Sequence, residues 1–175
     1  GKFVPPVPDW ADVIALDYSN QQLRKEMLEA MRFWLTEYNI DGFRCDVAAM
    51  VPTDFWNDTR KELDKTKKVF MLAEAHEFEL HEKAFDMTYG WQYKDLFNEI
   101  AQGKKSVKDL DAYLNGEEKH YHPDAYRMLH ITNHDLNSWE GTEFVRLGDA
   151  VETFLVLSNI MKGMPLMYSG QEAGN

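Results

Sequence analysis

Little in this sequence points to a covalent framework, a membrane or a nucleic acid. Cys45 is the only cysteine among 175 residues, which excludes an internal disulfide and leaves the redox compartment open. Basic residues are in deficit: 19 Lys and Arg against 30 Asp and Glu give a net charge of −11. That balance argues against nucleic-acid or anionic-membrane binding, since both favour basic patches, and it fits a neutral or polar partner. No apolar run approaches the ~18 residues of a membrane span, and no charged-then-apolar segment opens the chain. The first residue is Gly1 rather than Met, so the chain reads as an excised or processed piece, and a missing leader says nothing about secretion. Neither an internal repeat nor a low-complexity segment stands out.

What is present suits one compact domain, residues 1–175, with 44% hydrophobic and 28% charged residues. Three of the six prolines, Pro5, Pro6 and Pro8, hold the opening segment extended. Ser19 with Gln22 forms a plausible capping box, and Leu23, Met27, Met31, Trp34 and Leu35 recur at helical spacing. Asn39 suits a left-handed stop before a strand over Ile40 to Asp46. A second helix is predicted from about Thr53 to Thr66, with Phe55, Trp56 and Leu63 as its apolar contacts, then a strand from Val69 to Ala73. Further on, Phe85 to Met87 reads as a short strand, Trp91 to Ala101 as a helix, and Gly103 to Pro123 as a polar helix-and-loop excursion. Tyr126 to Thr132 reads as a strand, Phe144 to Met161 as one helix, and Pro165 to Tyr168 as a last strand. Short apolar strands alternating with amphipathic helices indicate a parallel sheet covered by helices.

Three strand-like segments end on a carboxylate: Asp46 after Gly42-Phe43-Arg44-Cys45, Glu74 after Phe70-Met71-Leu72-Ala73, and Asp135 in Thr132-Asn133-His134-Asp135. Side chains two apart on a strand share a face. Arg44 therefore stands beside Asp46 and keeps it ionised, as a nucleophile requires, while Cys45 turns away as a small buried hydrophobe. Glu74 shares its face with Phe70 and Leu72 and has no cation nearby in sequence. An apolar setting of that kind raises a carboxyl pKa, as a general acid requires. Taken singly, the three also fit a structural ion pair, a solvated strand end and a turn. Together they fit glycoside chemistry, in which a retaining enzyme sets two carboxyl groups ~5–5.5 Å apart. Trp91, Tyr93, His130, Trp139 and Tyr168 read mainly as buried aromatics rather than sugar platforms, with Trp139 the best placed for a platform. His120 and His122 bracket Tyr121 with no third ligand near, which reads as a solvated loop.

At these residues the chain closely resembles the α-amylase family of glycoside hydrolases. Gly42 to Asp46 is similar to the motif with an arginine and the nucleophile, Glu74 to the acid/base, and Asn133-His134-Asp135 to the motif with a hydroxyl-binding histidine and a stabilising aspartate. Gly163 to Glu172 resembles the eighth-strand segment, and Val13 to Asp17 the stretch before the helix that leads to strand four. The resemblance implies a partial (β/α)8 barrel, approximately strands 4 to 8 with their helices. A complete barrel needs about 250 residues. It implies retaining attack on α-glucosidic bonds, most often α-1,4, in starch-like glucans, with Asp46, Glu74 and Asp135 catalytic and Arg44 and His134 binding substrate or orienting the nucleophile. Transglycosylation or branching by the same carboxylates, or glucan binding without turnover, are the alternatives. No cofactor is required for the chemistry, although a structural calcium is possible in a full-length parent. No metal ligands are assigned. A periplasmic, cell-surface or secreted parent fits the family. The pattern departs at Ala49 and Met50, where many members carry a Lys-His pair that grips the leaving group. Open barrel edges lead us to expect that the piece self-associates.

Overall fold

The computed structural model describes residues 3–174. Five short strands, β1 (Gly42–Cys45), β2 (Phe70–Ala73), β3 (Met87–Tyr89), β4 (Tyr126–Leu129) and β5 (Met164–Pro165), form one sheet in sequence order, and every neighbouring pair is parallel. Helices α1 (Gln21–Glu37), α2 (Thr53–Leu63), α3 (Trp91–Ala101), α4 (Val107–His120), α5 (His134–Trp139), α6 (Glu143–Leu147) and α7 (Val151–Ile160) precede and connect them. Parallel strands laid down in order with helical crossovers are the construction of a (β/α)8 barrel, and the chain is a partial one. Among the described residues no helix is long and apolar enough to cross a membrane.

Alternation along each strand sorts side chains between two layers. On the helix side, Cys45, Met71 and Ala73 pack with Leu35, Phe55, Trp56 and Leu63 from α1 and α2. Leu129 and Ile131 pack there with Phe97, Leu147, Val151 and Phe154. Each fully buried side chain of this size contributes ~1.5–3 kcal/mol. On the barrel side, Met87, Tyr89 and Met128 meet Leu72 and Leu166. Cys45 is a free, buried thiol whose pKa burial pushes up to about 12, which makes it the inert hydrophobe its position suggests.

Several boundaries differ from the sequence reading, each for a local reason. Asn20, rather than Ser19, caps α1, because its side chain accepts from the Gln22 and Leu23 amides while the Ser19 hydroxyl donates to Asp17. Helix α2 stops at Leu63, where Asp64 turns its carboxylate to the Val69 amide and to Arg60. Strand β3 starts at Met87 instead of Phe85: Phe85 packs into the helix-side core, and Asp86 accepts the Met71 amide with its side chain. The polar excursion is mostly α4, begun by Ser106, whose amide and hydroxyl both donate to Asp109. The helix expected over 144–161 is broken by Gly148 at φ 54° into α6 and α7, and this turns Phe144 and Ile160 to solvent. Trp34 is half exposed on α1. The ladders of β4 and β5 close at Leu129 and Pro165, earlier than expected.

The β1–β2 contact leaves no room at Gly42, where a Cβ would overlap the Phe70 carbonyl oxygen and stand 2.7 Å from its carbon. Because that obstacle is backbone, Gly42→Ala is expected to cost about 3 kcal/mol or more in urea unfolding. A cost below about 1 kcal/mol would mean that the strands do not approach this closely.

Candidate active site

The β1–β2 ladder is in register from Gly42 opposite Phe70 to Cys45 opposite Ala73. It runs one step further, with the Glu74 amide donating to the Cys45 carbonyl at 2.9 Å. Asp46 and Glu74 therefore leave neighbouring strands at the same height. Parallel neighbours lie about 4.8 Å apart, close to the spacing that a retaining pair of carboxyl groups needs. Asn39, at φ 51°, makes the left-handed stop that feeds β1.

One guanidinium joins the two acids. Arg44 Nη1 donates to Asp46, Nη2 lies 2.7 Å from Glu74 Oε1, and Nε donates to the Tyr89 hydroxyl at 3.3 Å. Burial alone would lower the Arg44 pKa, but the bonds to Tyr89 and Asp46 and the charge of Glu74 hold it above its ordinary value. The two carboxylates sit in unlike settings. The side chain of Asp46 is 73% exposed and that of Glu74 only 12%. Burial raises the Glu74 pKa, helped by the nearby Asp46, while the Val47 amide and Arg44 oppose the rise. The direction is the one a proton donor near neutral pH requires.

Val47 was not foreseen as part of the site. It adopts φ 45°, ψ 44°, a left-handed conformation that β-branched side chains strongly disfavour. That turn aims its amide at Glu74 Oε2, 2.8 Å away, and the next amide, of Ala48, donates to the Glu74 carbonyl at 3.2 Å. The cation beside Glu74, invisible in its own segment, could have been found by aligning the two four-residue strands in register.

On the third segment, Asn133 is buried and caps α5 by accepting the Leu136 amide at 2.8 Å. His134 and Asp135 form the first turn of α5, with His134 Nε2 3.2 Å from Asp135 Oδ2. A cavity of about 690 Å³ brings Asp46, Glu74, His134 and Asp135 together, with Trp10 and Trp139 also in its lining. Trp139, expected mainly as a buried aromatic, is instead 85% exposed and lines the cavity. A second cavity of about 530 Å³ shares Glu74 and Asp135 with the first and continues past His76, Trp91 and Lys94. Of the remaining aromatic candidates, Tyr93 and His130 are buried and Trp91 and Tyr168 are half-buried. His120 is exposed and His122 pairs with Asp124.

The catalytic-domain model of the alpha-amylase family matches residues 9–175. The chain belongs to that family. It is 26% identical over 170 residues to the alpha-amylase MalA of Haloarcula japonica, covering 95% of this chain and 25% of that protein. It is 28% identical to the maltogenic alpha-amylase of Bacillus acidopullulyticus, covering 89% of this chain and 28% of that protein. Among solved structures, the maltogenic alpha-amylase AmyB of Thermotoga neapolitana superposes with a TM-score of 0.85 at 34% identity, over 98% of this chain and 40% of that one. An alpha-amylase of Lactobacillus plantarum gives 0.79 at 28%, over 98% and 44%. The chain thus spans about a quarter of the length of the curated relatives it matches.

The raised Glu74 carboxyl has a sign that stability can report. The folded chain holds this proton more tightly than the unfolded one, whose ordinary value is 4.5. Its favourable contribution is full below that value and is lost as pH rises through the folded value. Glu74→Gln removes the loss, so the melting temperature of the variant relative to the parent is expected to rise from pH 4 to pH 7. A difference flat with pH would contradict the shift.

Proposed function

We propose that this site performs retaining hydrolysis of α-glucosidic bonds, α-1,4 links foremost, in starch-like glucans or maltooligosaccharides. The observation that carries the reading is the single Arg44 fork joining an exposed Asp46 to a buried Glu74 of raised pKa at one rim. Asp46 attacks the anomeric carbon as Glu74 gives its proton to the departing glycosidic oxygen, so a C–O bond breaks and a glycosyl ester forms on Asp46. Glu74, now a carboxylate, takes a proton from water, whose oxygen attacks the same carbon and releases Asp46. Asp135 steadies the oxocarbenium-like sugar, and His134 binds its hydroxyls beside Trp139. Arg44 orients Asp46 and pairs with its charge before the ester forms and again as it breaks. Among the described residues no group of three His, Cys, Asp or Glu is placed to hold a metal ion.

Transfer to a sugar hydroxyl in place of water is a second reading. It is favoured by the cavity that continues beyond Glu74, where an acceptor could reach the acid/base without displacing the sugar held at Asp46. For assembly, we propose a second copy of this chain as the partner. Strands β1 and β5 end the sheet, and Met164, Met167, Phe33 and Trp34 stand exposed near its two borders.

Reducing-sugar release from soluble starch by the 175-residue chain tests the chemistry. Glu74→Gln and Asp46→Asn are each expected to lower it at least about 100-fold, and undiminished activity in Glu74→Gln would overturn the assignment. Product chromatography separates the two readings, since longer glucans mark transfer. Light scattering is expected to give a mass at least twice the 20.5 kDa chain. A sharp monomer that binds no apolar dye would overturn self-association.

A further inference from the structure

Behind the loop that carries Glu74, on the helix side of β3 and β4, lies a polar cluster that the proposed chemistry does not use. Its centre is Arg127 of β4, only 4% exposed. A buried guanidinium is costly unless its donors are engaged. Nη1 donates to Thr88 Oγ1 at 2.5 Å and to the His76 carbonyl at 3.2 Å. Nη2 donates to the Tyr89 carbonyl at 2.9 Å and to Gln92 Oε1 at 3.1 Å. Nε lies 3.1 Å from Glu117 Oε1 as an ion pair, although its N–H is not aimed along that line. The Tyr121 ring lies under the guanidinium, 4.3 Å from it, and the hydroxyls of Tyr93 and Tyr113 complete Glu117.

The point where this cluster touches the site is one carbonyl. His76 stands two residues after Glu74, and its oxygen accepts from both Arg127 and the Tyr121 hydroxyl. The preceding peptides are held by backbone: Glu74 by Cys45 and Ala48, and the Ala75 carbonyl by the Tyr89 amide at 2.8 Å. At His76 that backbone support gives way to side chains. The crossover to β3 is a single 3-10 turn, Phe78–His81, rather than a helix.

We propose that Arg127 and Tyr121 are positioning residues for Glu74: by clamping the His76 carbonyl they keep the Glu74 carboxyl against the Val47 amide and Arg44. This rests on reading Glu74 as the acid/base. Neither residue touches substrate, and a role in folding alone would leave the carboxyl's surroundings unchanged.

The Val47 amide, which donates to Glu74 Oε2, is the reporter. Its proton and nitrogen shifts are followed from pH 3 to pH 8 by NMR. The titratable and charged groups facing Glu74 are Arg44 on β1 and Asp46 just past its end, Tyr89 beside Arg44, Asp12, His134 and Asp135 across one cavity, and His76, Lys94, Asp95 and Glu140 across the other. The step that Glu74→Gln abolishes is the one assigned to Glu74. In Tyr121→Phe, which keeps the ring and loses the hydroxyl, water reaches the carboxyl. The midpoint is then expected to fall by roughly half a pH unit toward the ordinary carboxylate value. Arg127→Lys is expected to move it further in the same direction. Tyr113→Phe, which weakens Glu117 without touching His76, is expected to leave it in place. Unmoved midpoints in the first two variants, an equal shift in Tyr113→Phe, or no Glu74 step in the parent would each overturn the clamp. If Arg127→Lys fails to fold, Tyr121→Phe decides alone. The readout needs no turnover, so a failure of the hydrolase reading appears separately, as starch activity that survives Glu74→Gln.

Discussion

Arg44 offers its guanidinium nitrogens to Asp46, Glu74 and Tyr89 at once, and the geometry of the rim follows from that division. A planar fork cannot stretch. It reaches carboxylates on two strands only if both strands end level, which the register of β1 and β2 provides. The level ends in turn need the close backbone approach that Gly42 permits. Tyr89 fixes the third nitrogen from β3, so the arginine is tied to three consecutive strands. Its position is a property of the sheet rather than of its own side-chain preferences.

The same sheet separates two kinds of interior. On the helix side, apolar contacts from α1, α2, α3 and α7 supply ordinary hydrophobic burial. On the barrel side, polar groups are mixed into a smaller apolar set. His130 is fully buried against Tyr89, and burial lowers its pKa to about 4. It is therefore uncharged at neutral pH. A neutral floor leaves Arg44 as the cation in direct contact with both Asp46 and Glu74.

The parts of this arrangement legible in the sequence are those in which one strand carries its own message. Arg44 beside Asp46, Cys45 turned outward and Leu72 sharing the face of Glu74 all follow from alternation within four or five residues. The helix-side positions Phe55, Trp56, Leu63 and Phe154 followed from periodicity. What escaped depends on residues brought together across the fold. The cation of Glu74 sits 30 residues away in β1, and its amide donor is a valine in a conformation that no propensity would assign. The start of β3 was displaced because Asp86 completes the ladder with its side chain, which mimics a strand residue without being one. The break at Gly148 was hidden by apolar residues that keep helical spacing across it.

Val47 links conformation to evolvability. A β-branched residue at φ 45° stores local strain of order 1–3 kcal/mol, which asparagine or glycine would relieve. Selection for thermostability alone would favour either replacement at this position. Yet both relax the backbone in other directions too, and an amide on a freer backbone spends less of its time aimed at one carboxylate oxygen. The strained valine thus marks a place where gains in melting temperature and in the aim of one amide at Glu74 diverge.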